Sequence, residues 1–460
     1  MKQSSIRLFA AATAIATSLA LAPATVCAAD SVPAPAAAAA AEPTTQELLE
    51  QIKQLQAKVE KLETKQQQSN ADVARTVDEM VKDAEKRSVL MDPVPFTGNW
   101  QAGKFTLKSD DGNFLLHPWF WLQFRNVTNY RADDGSGNSD IENGFEVRRM
   151  KFGADGNVFS PNTTYLFNWA TNRNNGNVFL EEAWLRQKLS DTWAIKGGQM
   201  KDPFAHESIV SAKRLVAADR ALITDVFTGG DNYVQGVSAQ YTQDALQAEV
   251  AFTDGANAPN ENFQDFPTNT WDFGVAGRVQ YKLFGDWSAY EQFSSLNIKK
   301  ELAVLGAGVD LSQAGDTTQI LQTVDIQYNR TSGLGLYGAY YGRYIANAPA
   351  DAGTPAPPTS DTYDWGFIAQ ASYLIPDSKW EPFLRFDFIN FDAASVPAGS
   401  DDSVPEITVG TNYYIHGQDL KLTVDFMWLP NGSPVSDTGS GVLASDDTEF
   451  VLRAQFQLLL

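Results

Sequence analysis

From about Asn113 to the C-terminus, apolar side chains return at every second position. Leu420, Leu422, Val424, Phe426 and Trp428 alternate with Lys421, Thr423, Asp425 and Met427. Phe450, Leu452, Ala454, Phe456 and Leu458 alternate with Glu449, Val451, Arg453, Gln455 and Gln457, and the same period runs from Trp271 to Lys282. A period of two sends alternate side chains to opposite faces of a strand. Clusters of Gly, Asn, Asp and Pro separate the runs, so the pattern predicts about sixteen strands. Their expected starts lie near Phe114, Phe145, Thr163, Val178, Thr192, Tyr233, Ala245, Trp271, Glu301, Thr317, Leu334, Tyr363, Lys379, Ile407, Leu420 and Thr448. Short separators such as Gly285-Asp286 and His416-Gly417-Gln418 alternate loosely with long polar ones such as 346–362 and 430–446.

The preceding residues follow another period. Over 44–90, Leu48, Ile52, Leu55, Val59 and Leu62 are spaced 4-3-4-3, and Val73 and Met80 extend the series by sevens. That is a heptad seam and predicts a coiled-coil helix, with a single solvated helix as the alternative. Asp92-Pro93-Val94-Pro95 ends it, and 91–113 reads as a lead-in. Residues 29–43 read as an Ala/Pro linker. Over 1–28, Lys2 and Arg7 precede the apolar run Leu8–Ala22 and the small residues around Ala28, the pattern of an export signal. The run is short of the ~20 residues of a spanning helix. Cys27 is the only cysteine, so no internal disulfide forms, and its lipidation is the rival to simple cleavage.

Charge narrows the functional classes. A formal net charge of -21 argues against nucleic acid as a partner. The charge is uneven, with ten Lys/Arg and six Asp/Glu between Arg148 and Arg214 in a chain holding 35 and 56. There are three histidines, no P-loop and no Cys/His ligand set, so neither catalysis, metal nor cofactor is expected. His206, Glu207 and Ser208 are sequence neighbours, which does not make a triad.

Aromatic residues favour a membrane setting. Trp119, Trp121, Tyr130, Trp169, Trp193, Tyr328, Tyr344, Trp365, Tyr373, Trp380, Tyr413 and Trp428 fall near strand ends, as girdles at the lipid–water interfaces would. A closed barrel of about sixteen strands leaves an aqueous lumen. The stretch Phe145-Glu-Val-Arg-Arg-Met-Lys-Phe-Gly-Ala-Asp-Gly156 then divides oil from water. Arg149 and Lys151 share one face; Met150, Phe152 and Ala154 share the other. The expected fold is an all-β transmembrane antiparallel barrel over 114–460, preceded by the N-terminal α-helical coiled coil. An exported all-β carbohydrate-binding or wall-tethering protein without channel activity is the alternative.

Several motifs resemble one family. The 145–156 string resembles the "RR…G…G" strand of the phosphate-selective porins O and P. Gly198-Gln199-Met200-Lys201-Asp202-Pro203-Phe204 resembles the motif that opens the family's inward-folded third loop, here about 202–232. Leu180-Glu-Glu-Ala-Trp-Leu-Arg186 resembles its acidic-aromatic strand, and Asp110-Asp111-Gly112-Asn113-Phe114 its lead-in. The likeness runs from about Gly98 to Gly255. It implies a trimeric outer-membrane pore of a Gram-negative-type bacterium, narrowed by that loop, passing small anions or other hydrophilic solutes. Phosphate or polyphosphate would be preferred. The helix would lie in the periplasm and could reach the cell wall. Arg148, Arg149 and Lys201 occupy matching motif positions. The pore candidates are these three with Lys151, Arg186, Lys188, Lys213, Arg214 and Arg220. The competing reading pairs each cation with a wall carboxylate such as Glu146, Glu182, Asp202 or Asp219.

Overall fold

The computed structural model describes residues 45–90, 96–101, 104–133, 137, 139–230, 232–260, 271–348, 360–397 and 400–460. The export signal, Cys27 and the Ala/Pro linker lie outside them. Two units are described separately. The first is α1 (Thr45–Leu90), one continuous helix in which Val59 and Leu62 are exposed. Among the described residues no helix is long and apolar enough to cross a membrane, which says nothing of a barrel.

The second unit is a closed antiparallel barrel. Its sixteen strands are β3 (Leu115–Arg131), β4 (Asp140–Asn157), β5 (Thr163–Thr171), β6 (Val178–Lys188), β7 (Trp193–Lys201), β8 (Tyr233–Thr242), β9 (Leu246–Thr253), β10 (Phe273–Phe284), β11 (Leu302–Ala314), β12 (Thr317–Asn329), β13 (Leu334–Ala348), β14 (Ser360–Tyr373), β15 (Trp380–Asn390), β16 (Ser403–His416), β17 (Leu420–Leu429) and β18 (Glu449–Leu459). Each pairs with its sequence neighbours, and β18 closes on β3 with Leu452 opposite Thr128 and Leu458 opposite Leu122. A preceding hairpin, β1 (Phe96–Gln101) and β2 (Lys104–Ser109), lies within the stretch read as a lead-in. β4, β14 and β16 begin earlier than the alternation indicates, because polar residues, with Gly144 and Pro405, interrupt the apolar period at their starts.

One end of the barrel carries mostly tight turns, such as 158–162 and 417–419; the other carries the longer loops, such as 202–232 and 430–448. The turn end has one exception. Gly285, at φ 101°, opens a connection that runs to Glu301 and includes the short helix Trp287–Tyr290.

Burial is inverted relative to a water-soluble protein. On β17 and β18, Lys421, Thr423, Asp425, Arg453, Gln455 and Gln457 are buried, while Leu422, Val424, Phe426, Trp428, Leu452 and Phe456 are exposed. An outward belt this apolar is stable only against lipid, and a closed sheet leaves no unpaired backbone edge within it. Two aromatics depart from the expected girdle. Trp121 is buried, and Trp119 shares its inward parity on β3 with Gln123 and Arg125. The run Leu115–Phe124 is apolar at nearly every position, so alternation could not assign its faces.

Candidate functional site

β7 ends on Gly198-Gln199-Met200-Lys201, and the chain then turns into the barrel. Gly198 has φ 127°, and a Cβ there would lie 2.1 Å from the Ala183 carbonyl oxygen, so this kink requires glycine. Segment 202–232 follows as the third loop of the loop end. Phe204, Leu215, Leu222, Ile223 and Phe227 are buried and pack in one cluster with Tyr337, Tyr341, Ile368, Phe383 and Met427 of the wall.

A loop has no strand partner for its carbonyls, and buried carbonyls need donors. The wall supplies them. Arg278 donates to Phe204 O at 3.0 Å, Lys421 to Leu215 O at 2.8 Å and Asn412 to Val216 O at 2.7 Å. Gln455 donates to Ala218 O at 3.1 Å and Arg385 to Asp219 O at 3.0 Å. Many inward polar side chains are therefore struts for this loop, where alternation alone read them as wet lumen lining.

The loop's tightest anchor is Asp219. Its carboxylate takes Arg149 Nη2 at 2.6 Å, Arg148 Nε at 2.7 Å and Arg125 Nη1 at 3.3 Å. Burial opposes its charge, but Arg148, Arg149 and Arg125 outweigh burial and hold the carboxyl well below the ordinary carboxylate range. A β-bulge makes this possible. The β3–β4 register skips between Arg149 and Val147, so Arg148 and Arg149 both reach the interior. Strict alternation would send Arg148 into lipid at a cost of ~2–4 kcal/mol near the midplane. A second irregularity, between Leu180 and Glu182, turns Glu181 inward to meet Lys151 at 2.6 Å.

The other candidates fall into different settings. Lys201 Nζ donates to Ser208 O at 2.7 Å and Ile209 O at 3.0 Å; Arg220 donates to Glu207 O at 3.0 Å and Val210 O at 3.2 Å. Arg186 donates to Gln240 at 2.6 Å, and Lys188 pairs with Asp191 at 2.9 Å in an exposed turn. Arg214 pairs with Glu291 at 2.5 Å. Lys213 Nζ lies 5.6 Å from the Trp119 ring centre. Burial, with Arg214 and Lys104 adding like charge, pushes its ammonium below the ordinary lysine value. His206 stacks on Tyr290 with centroids 3.8 Å apart and meets Gln327 at 2.8 Å; burial lowers its imidazole to about 4. It is a packing residue.

Five of the nine candidates, Lys151, Lys201, Lys213, Arg214 and Arg220, line one cavity of about 1150 Å³ towards the turn end. Lys104, Lys299 and Lys300 join them there, making eight Lys/Arg against five Asp/Glu. Arg148, Arg149, Arg186 and Lys188 do not line it. A second cavity, of about 470 Å³, lies beside Gln240, Glu249 and Trp287.

A closed sixteen-strand barrel, greasy outside and narrowed by its third loop, is the setting in which family likeness becomes informative. Residues 120–323 match the phosphate-selective porin O and P family. Among solved structures, the anion-selective porin from Comamonas acidovorans is similar at 12% identity and a TM-score of 0.52, covering 75% of this chain and 99% of that one. OmpF of Salmonella typhi, in complex with daunomycin, is similar at 13% identity and a TM-score of 0.52, covering 79% and 100%. At such identities these likenesses establish the fold alone. A search of curated proteins gives no match. The match to a porin family, taken with the barrel fold, supports an outer-membrane channel.

Sequence reasoning missed several interior cations. Arg125, Arg385 and Arg453 are wholly buried, and Arg453 clasps Asp425 at 2.7 and 2.9 Å while donating to Ser440 O at 2.8 Å. The signal was available, since Arg453 shares parity with Gln455 and Gln457. Lys104, Lys299 and Lys300 sit in segments that alternation leaves as connections.

Proposed function

We propose that this protein is an outer-membrane porin for passive diffusion of small hydrophilic solutes, with a preference for anions. Phosphate or polyphosphate is the favoured solute, a reading supported by the family match and by the point charges of Lys213 and Lys104 at the cavity. The observation that carries the anion preference is the excess of cations around the large cavity, in a chain of net charge -21. Fixed charge focused by low-dielectric walls raises the local concentration of its counter-ion. No covalent chemistry is needed: a pore residue must attract the ion and release it.

In this reading Lys213 and Lys104 attract the solute, while Arg148, Arg149, Lys201 and Arg220 position the loop that narrows the path. Arg186, Lys188 and Lys151 contribute field from the wall. The assembly would be a homotrimer, with α1 joined to its copies along the heptad seam of the sequence in the periplasm, towards the cell wall. The domain limits follow: 1–28 signal, 29–43 linker, 44–90 coiled coil, 91–113 lead-in and 114–460 barrel.

The test is charge removal at the mouth. One charge acts with about 1 kcal/mol on an ion at contact distance in water, about fivefold, so the double variant Lys104→Ala/Lys213→Ala, which removes two, should lower anion-over-cation selectivity by more than about fivefold. Planar-bilayer reversal potentials read this directly. Selectivity unchanged in the double variant would remove these residues from the mechanism.

A further inference from the structure

The β1–β2 hairpin has two unlike faces. Its register sets Trp100 opposite Phe105 and Gly98 opposite Leu107, with Phe96 on the same side. Thr97, Asn99, Lys104, Thr106 and Lys108 occupy the reverse side. The apolar side is open: Phe96 is 58%, Trp100 64% and Phe105 37% exposed. Trp100 and Phe105 are also in ring contact, with centroids 6.5 Å apart.

The register fixes what each face continues. β2 joins β3 through Leu107 opposite Leu116 and Lys108 opposite Leu115. Cross-strand partners share a face of the sheet. Leu116 has the parity of Phe124, which is exposed on the outer wall, whereas Gln123 and Arg125, of the other parity, are buried inside. The face of Phe96, Trp100, Phe105 and Leu107 therefore extends the outward belt of the barrel beyond the turn end of β3. The opposite face extends the inner wall, and Lys104 on it lines the large cavity.

We propose that this hairpin is an interfacial flap. Phe96, Trp100 and Phe105 are seated in the phospholipid headgroup region at the turn-end rim, and the seating holds Lys104 over the mouth. Continuity with the lipid-facing belt selects lipid as the occupant, and Trp with Phe at an interface is the composition such a position favours. The inference rests on the outer barrel wall meeting lipid, so the experiment carries a control for that.

Trp100→Cys, Thr106→Cys and Val424→Cys are made singly in a full-length Cys27→Ser chain and labelled with an environment-sensitive fluorophore. The proteins are reconstituted in phosphatidylethanolamine/phosphatidylglycerol vesicles. Quenching by a doxyl phospholipid, spin-labelled near the headgroup for positions 100 and 106 and deep in the acyl chain for position 424, is compared with quenching by aqueous iodide. The labels at 100 and 424 should lose most of their emission to the doxyl lipid and little to iodide, and the label at 106 the reverse. If 424 is quenched by lipid while 100 is reached by iodide, the hairpin stands in water and the flap is wrong. If 100 is reached by neither quencher, protein covers it, which equally overturns the assignment to lipid. If 424 is itself reached by iodide, the membrane reading fails and the flap with it.

Discussion

Asp219→Ala is expected to loosen the third loop from the barrel wall and to cost about 3–5 kcal/mol, the usual consequence of removing one partner from a buried ion pair. Arg125 and Arg149 are almost fully buried and would lose the carboxylate between them. The variant should unfold from lipid vesicles at lower urea than the parent, and its single-channel trace should be larger and noisier as 202–232 leaves its place. Asp191→Ala, which breaks the exposed pair with Lys188, should change neither. The pH dependence has a defined sign. The Asp219 carboxyl is held below its ordinary value, so its stabilisation is fully present above an unfolded value of about 3.9. It is lost as pH falls through the lower folded value. Parent and variant should therefore differ at neutral pH and converge in strong acid. Equal stability at neutral pH would mean that the apolar cluster around Phe204 and Ile223 holds the loop without the arginines.

Val424→Arg should destabilise the barrel by ~2–4 kcal/mol when folded into a bilayer. Val424 is exposed near the middle of β17, opposite Ala454. In a soluble protein, an exposed substitution of this kind usually stays within about 0.5 kcal/mol. The two settings thus make opposite forecasts for one residue. Val424→Phe, which keeps the position apolar, should be nearly silent. Urea titration in vesicles separates the outcomes, and a silent Val424→Arg would mean that the outer wall does not meet hydrocarbon.

The strand framework was legible because lipid outside and polar groups inside impose a strict period of two, as β17 and β18 display. Where both faces are apolar, as from Leu115 to Phe124, the period vanishes and the inward aim of Trp119 and Trp121 could not be read. Bulges are also invisible to alternation, which would put Arg148 on the outer face with Met150, whereas the bulge turns it inward. The loop's anchoring was hidden for another reason. Asp219 meets Arg148 some seventy residues away and Ala218 meets Asp425 across about two hundred, separations at which sequence spacing carries no signal. The hairpin escaped because its six-residue strands are too short for alternation to stand out between proline and glycine breaks.

Two physical consequences follow for the basic residues. Those nearest the family motifs, Arg148 and Arg149, are committed to a buried carboxylate, so their effect on ions passes through the position of the loop. The ammonium of Lys213 has no hydrogen-bond acceptor among the described residues and lies against Trp119, which leaves its charge directed at the cavity. Selectivity is thereby separated from constriction, and variants in the two sets should differ in what they change.

The most direct measurement is the zero-current potential of the full-length chain reconstituted in a planar bilayer under a potassium chloride gradient. The account predicts discrete conductance steps and a potential whose sign shows chloride crossing more readily than potassium, increasing in the order expected from the cations at the mouth. A potassium-favouring sign, or a bilayer that stays silent with folded protein present, would contradict it.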